Sequence, residues 1–224
     1  MTVPVIAIDG PGGAGKGTVC RLLAEKLGWH LLDSGSLYRI TAYAARQRNI
    51  DLANSDAVAE VALNLAVEFV DSPDGVRVIL DGADVGEAIR TEEGGRDASV
   101  VAADAAVREA LIERQRGFAA PPGLVADGRD MGTVVFTSAR LKIFLTASVE
   151  ERARRRYKQL KDKGMDVSLP ALSRDMEERD RRDAERSVAP LRAADDARVL
   201  DSTDLGISEV VDQVISWAEE VYSF

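Results

Sequence analysis

Five glycines and one lysine fall within eight residues, Gly10-Pro11-Gly12-Gly13-Ala14-Gly15-Lys16-Gly17. So many glycines raise the entropic cost of folding, which implies a backbone that must approach something closely. The spacing fits G-x-x-x-x-G-K, a loop whose backbone N–H groups surround an anion while the lysine bridges the β- and γ-phosphates of a nucleoside triphosphate. A helix starting at the loop would add its positive end to the same anion. The residue after Lys16 is Gly17, where the general pattern has Ser or Thr, and Thr18 follows. A hydroxyl that ligates Mg²⁺ directly is therefore not expected at position 17. Thr18 is expected on a nucleotide phosphate, with the metal held largely through water.

A second set of candidates lies where strands should end. Asp33, Ser34, Tyr38 and Arg39 follow one apolar run, and Asp127, Arg129 and Asp130 follow another. Parallel sheets place ligands at the carboxyl ends of their strands, so both groups are expected to face the glycine loop. Arginines there can hold a second phosphate-bearing substrate bidentately. Residues 152–192 hold 13 of the 29 basic residues, interleaved with acids. Arg154, Lys161 and Lys163 read as members of a solvated helix pair. Arg152, Arg156, Arg179 and Arg186 read as a lid that covers the transferring phosphoryl group and excludes water.

The elements that must position these residues alternate. Apolar runs at Val3–Asp9, near Trp29–Asp33, up to Asp127, at Leu141–Thr146 and at Arg198–Thr203 read as five strands. Helical spacing covers Gly17–Leu27, Leu37–Arg48 (capped by Ser34 or Ser36), Ser55–Ala66, Ser99–Arg116, about 149–163, about 168–185 and Ser208–Tyr222. Gly28 suits the left-handed position that closes the first helix. Strand–helix alternation predicts an α/β fold around a parallel sheet. Residues of about 67–90 change to a period of two about Ser72-Pro73-Asp74-Gly75, which predicts a small antiparallel insert with a hairpin and a continuing meander through Gly82–Ile89.

Composition narrows the class further. A net charge of −9 argues against general nucleic-acid binding. No window nears the roughly 20 apolar residues of a membrane span, and no signal peptide is evident. The single cysteine, Cys20, reads as a small apolar residue of a helix face and suits a reducing, cytoplasmic setting. His30, the only histidine, falls at a strand start away from the expected catalytic edge and reads as structural. No Asn-Lys-x-Asp segment for guanine is present, which argues against a GTPase switch.

Taken together, "IDGPGGAGKGT", "LLDSGSLYR", "IRTEE", "LVADGRDMGTVVF", "KIFLTAS" with "EERARRR", and "ERDRRD" with "VAPL" resemble bacterial cytidylate kinase, in order and over essentially the whole chain. The resemblance implies a phosphate-loop kinase: a five-stranded parallel sheet flanked by helices, a small antiparallel β insert in the monophosphate-binding region and a short helical lid. It implies one kinase domain, with a core of about 1–33, 120–150 and 195–224, an acceptor region of about 34–119 and a lid of about 151–192. The activity implied is phosphorylation of CMP and dCMP by ATP with Mg²⁺, by a monomer. In that family Gly17-Thr18 is the normal order.

Matched positions then imply roles. Gly10, Pro11, Gly12, Gly13, Ala14, Gly15, Lys16, Gly17 and Thr18 would hold the ATP phosphates, with Arg152 and Arg156 facing ATP. Ser34, Ser99, Arg108 and Asp130 would read the cytosine. Arg39, Arg129 and Arg186 would grip the CMP phosphate, with Arg179 and Asp183 near the ribose. Lys16, Arg129, Arg152 and Arg186 would carry catalysis by neutralising charge. The acceptor oxygen is already ionised, so no strong base is required; Asp33 and Asp127 are expected to hold metal-bound water. Kinases of the same fold acting on UMP, AMP or a small alcohol, and a non-catalytic nucleotide switch, are the rival readings. Arginines for a second phosphate disfavour the switch.

Overall fold

The computed structural model describes residues 3–72 and 75–222. The chain divides into two compact units, residues 1–33 with 115–224, and residues 34–114.

The first unit is built on a five-stranded parallel sheet. Its strands are β1 (Val5–Asp9), β2 (His30–Asp33) and, later in the chain, Leu124–Gly128, Leu141–Thr146 and Arg198–Asp201. Numbering the last three β6, β7 and β8, with three strands in the second unit, gives the spatial order β2-β6-β1-β7-β8. β1 is central, and all five of its residues are buried. A strand covered on both faces has no need of alternation, which explains the uninterrupted apolar run of Val5 to Ile8. Helix α1 (Lys16–Leu27) and the closing helix α8 (Ile207–Val221) are also part of this unit. Val19, Leu23, Val210, Val211 and Val214 join Ile6, Ile8 and Ile143 in one core. Gly28 ends α1 at φ 64° and donates to Ala24 and Glu25 carbonyls. The charged helices α6 (Val149–Asp162) and α7 (Leu169–Glu185) complete the unit.

The second unit contains α2 (Ser34–Gln47), α3 (Ser55–Leu63), α4 (Glu92–Val101), α5 (Ala105–Arg116, whose last two residues belong to the first unit) and a three-stranded antiparallel sheet of β3 (Val67–Ser72), β4 (Gly75–Leu80) and β5 (Ala83–Asp84). The predicted insert is therefore present, although Pro73 and Asp74 of its expected turn lie outside the described residues. The meander is shorter than expected: β5 has two residues, and a 3₁₀ turn at Ala88–Arg90 replaces a strand reaching Ile89.

Two helix expectations need correction. The single helix expected over Ser99–Arg116 is two, α4 and α5. Asp104 makes the break: its Oδ1 accepts from the N–H groups of Ala106 (2.8 Å) and Val107 (3.1 Å), which opens a new helix. Similarly, α2 starts at Ser34 itself, so Ser34 and Ser36 are helical residues and do not precede the helix.

Candidate active site

Because β1 is the middle strand, it delivers the glycine loop to the centre of the sheet's carboxyl edge. Gly10 has φ 150°, and a Cβ there would lie 1.9 Å from the Leu145 carbonyl oxygen on β7, so no side chain fits. Gly15, at φ 90°, turns the loop into α1. Lys16 is buried and its Nζ donates to the Pro11 carbonyl at 3.0 Å. It also lies 3.7 Å from Asp127 Oδ1. Burial, and then the charge of Arg129, push the Lys16 ammonium down to about 8, against the pull of Asp127. At about 8 it remains mostly protonated at neutral pH. Thr18 sits exposed in the first turn of α1.

Other elements hold the loop's carbonyls. Arg152 donates from Nη1 to Gly12 O at 2.9 Å and from Nε to Ala147 O at 3.0 Å, and forms a two-pronged ion pair with Asp180 of α7. Ser202, at the end of β8, places Oγ 3.0 Å from Thr146 O and 3.4 Å from Ala14 O. Arg155 binds Ser202 at its carbonyl (2.5 Å) and its hydroxyl (3.2 Å).

Arginines crowd the front of the loop. A methyl group on Gly12 would lie 3.5 Å from both Arg129 Nη2 and Arg179 Nη1. Arg129 donates from Nε to Asp183 Oδ2 at 3.0 Å. Burial favours the neutral Asp183 carboxyl, yet Arg129, Arg179 and Arg186 outweigh it and hold Asp183 below the ordinary carboxylate range. Arg186 donates to Ala189 O at 2.5 Å, and Arg156, on α6, donates to Gln159 at 3.3 Å. The geometry thus brings Lys16, Arg129, Arg152, Arg179, Asp183 and the loop together in one unit. Arg152 is buried and links the loop's Gly12 carbonyl to Asp180 of α7.

Carboxylates line the strand ends. Asp33 of β2 is register partner to Asp127 of β6. Burial and, against the pull of Lys16, the charge of Asp33 raise the Asp127 carboxyl to about 6. A methyl group on Gly17 would lie 3.6 Å from Asp127 Oδ2. These oxygen donors suit Mg²⁺, which keeps much of its water. Among the described residues no cluster of three His, Cys, Asp or Glu could ligate a metal without a substrate's help. Asp9, the last residue of β1, accepts from the N–H groups of Met131 (2.7 Å) and Gly132 (2.8 Å) in a π-helical turn, Met131–Val135. Asp130, buried, precedes that turn directly. His30 lies at the start of β2 with Nε2 3.0 Å from Pro121 O, in keeping with a structural role.

The remaining predicted residues belong to the second unit. Ser34 and Ser99 are buried on α2 and α4. Arg108 of α5 donates to Ala102 O at 3.1 Å, and its guanidinium stands 5.7 Å from the centre of the Tyr38 ring. Arg39 Nη1 donates to Ile89 O (2.8 Å) and Thr91 O (3.2 Å).

Asp9, Asp180 and Ser202 escaped the sequence reading. Asp9 carried a usable signal: a carboxylate that ends an otherwise apolar buried strand needs donors. Asp180 is one acid among many in a charged helix, and nothing local marks it.

The cytidylate kinase family profile matches residues 6–220. Cytidylate kinase of Aeromonas salmonicida is 58% identical over 97% of this chain and 94% of that protein. Those of Pseudomonas paraeruginosa and Vibrio cholerae are 59% and 58% identical, over 97% and 96% of this chain and 96% of each relative. With the strand-loop-lysine arrangement and the arginines in front of it, these matches leave no other assignment: the chain belongs to the cytidylate kinase family.

Proposed function

We propose that this protein transfers the γ-phosphoryl group of ATP to CMP or dCMP, giving ADP and CDP or dCDP. The convergence of Arg129 and Arg179 within 3.5 Å of a methyl position on Gly12 carries the reading, since a triphosphate sensor needs no cations beyond the loop and its lysine. The loop from Gly10 to Thr18 holds the donor phosphates. Lys16 leaves the Pro11 carbonyl to bridge the β- and γ-phosphates, and Arg156 of α6 faces the same nucleotide. Arg129, Arg186 and Arg39 hold the acceptor phosphate, and Arg179 and Asp183 lie at the ribose. Ser34, Ser99, Arg108 and Asp130 read the cytosine, whose amino group donates and whose carbonyl and ring nitrogen accept. Residues of about 34–119 form the acceptor region and about 151–192 the lid.

The chemistry is alignment and charge neutralisation. A P–O bond forms from the ionised CMP oxygen to the γ-phosphorus while the bond to the bridging oxygen of ADP breaks, and no proton leaves the acceptor. Asp127 and Asp33, with Thr18, would hold the water shell of Mg²⁺, which would supply positive charge to the nucleotide's phosphates. No helix among the described residues is long and apolar enough to cross a membrane. We read the enzyme as a cytoplasmic monomer that binds nucleotides and not nucleic acid.

A coupled assay of ADP release with CMP, dCMP, UMP, AMP and dTMP tests the reading. CMP and dCMP should give kcat/KM values at least tenfold above the others. Equal or better use of AMP sinks the cytosine assignment, and no ADP with any acceptor restores the nucleotide switch.

A further inference from the structure

The central strand ends in a carboxylate that the mechanism above does not use. Asp9 is 4% exposed and both of its oxygens are engaged, Oδ1 by the Met131 N–H at 2.7 Å and Oδ2 by the Gly132 N–H at 2.8 Å. The two donors are consecutive, and they open the turn that directly follows Arg129 and Asp130. The turn is closely packed where it meets Asp9: a methyl group on Gly132 would lie 3.1 Å from Lys142 Cδ and 3.4 Å from Asp9 Oδ2. In the chain, Asp9 immediately precedes Gly10, the first residue of the donor loop.

From this geometry we infer that Asp9 is a positioning residue, whose carboxylate fixes the Arg129–Asp130 segment against the root of the donor loop so that the acceptor nucleotide meets its contacts in register. The inference rests on the reading of Arg129 and Asp130 as acceptor contacts. Only a carboxylate fits the task. Asparagine offers one acceptor and turns an N–H₂ toward the second N–H, so one bond is lost and two donors oppose each other. Alanine leaves two buried N–H groups unsatisfied. The charges that bear on Asp9 are Asp130, which favours its neutral form, and Lys16, which favours the ionised one. The backbone bonds from Gly132 and Met131 also favour the ionised form, while burial opposes it.

Steady-state kinetics of Asp9→Asn and Asp9→Ala with ATP-Mg²⁺ and CMP test this. The expected result is a rise of at least tenfold in KM for CMP, with KM for ATP within threefold of wild type and a cooperative thermal transition retained. A CMP KM within twofold of wild type, or equal rises for both substrates, overturns the inference. Asp130→Ala is measured beside them. If it leaves the CMP KM unchanged, the acceptor reading itself has failed; if it raises the KM while Asp9→Asn does not, only the positioning role has failed. Should the Asp9 variants not fold, the wild-type amide resonances of Met131 and Gly132 decide the matter. Both should shift with one shared pH midpoint, and two amides that do not titrate together overturn the clamp.

Discussion

Lys16 carries an ammonium where water is excluded, and its surroundings disfavour the charged form. Burial comes first and the charge of Arg129 second in lowering it to about 8. Such a residue costs stability so that it can serve a ligand. Lys16→Met keeps the stem and removes the charge. Turnover should fall roughly 10²–10³-fold, the scale seen when one charge-stabilising donor is lost. The melting temperature should stay level or rise, because an unfavourable buried charge has gone. Kinetics and circular dichroism on one preparation check both halves, and retained turnover removes the phosphate-loop argument. At this scale the legible residues were those defined by neighbours in the chain. Gly10 to Thr18 could be read directly, because the whole device is local. Asp9 could not be placed, because its donors lie 122 and 123 residues away. The charge of Arg152 is visible in the sequence, but its bonds to Gly12 and Asp180, 140 and 28 residues distant, are not.

Among the elements, the strands were the easiest to foresee. β1, β6 and β7 are apolar runs because they are buried on both faces, and Leu141–Thr146 has the expected limits. The helices of the second unit were harder. α4 and α5 share a continuous helical tendency, and the interruption depends on one side chain, Asp104, choosing the backbone N–H groups of Ala106 and Val107. Burial raises the Asp104 carboxyl, but hydrogen bonds from Ser55 and those two N–H groups outweigh it and leave the group lowered. Asp104→Ala should cost about 1 kcal/mol, as cap removals do. That corresponds to a fall of about 2–4 °C in the melting temperature. Differential scanning calorimetry checks it, and an unchanged transition would mean that the break does not depend on the cap. Arg108 also binds Ala102 at the same break, so on its proposed role at the cytosine CMP affinity should weaken in this variant more than ATP affinity.

For the whole molecule, the buried carboxylates set a pH dependence whose sign follows from proton uptake. Asp9 rises from an ordinary 3.8 to about 6, mainly through burial. Between these values the folded state binds more protons than the unfolded one, so stability falls as pH rises through that window. A shift of this size corresponds to about 3 kcal/mol. Asp127 has the same sign and Asp183 the opposite, so the net curve mixes several groups. The Asp9 share is isolated by difference. From pH 4 to pH 7 the stability of wild type should decline relative to Asp9→Asn, measured by urea denaturation at fixed ionic strength. Parallel curves would show that Asp9 does not titrate there.

The glycine loop, read first as a local motif, is fastened from behind by distant parts of the chain. Arg152 of α6 takes the Gly12 carbonyl, and Ser202 beyond β8, itself gripped by Arg155, stands against that of Ala14. In a genetic screen for loss of ATP use, substitutions at Asp180, Arg155 or Ser202 would therefore be scored with loop lesions, although none of these residues belongs to the glycine motif. A mutational map of this kinase drawn by phenotype would show one site where the sequence shows three separate places.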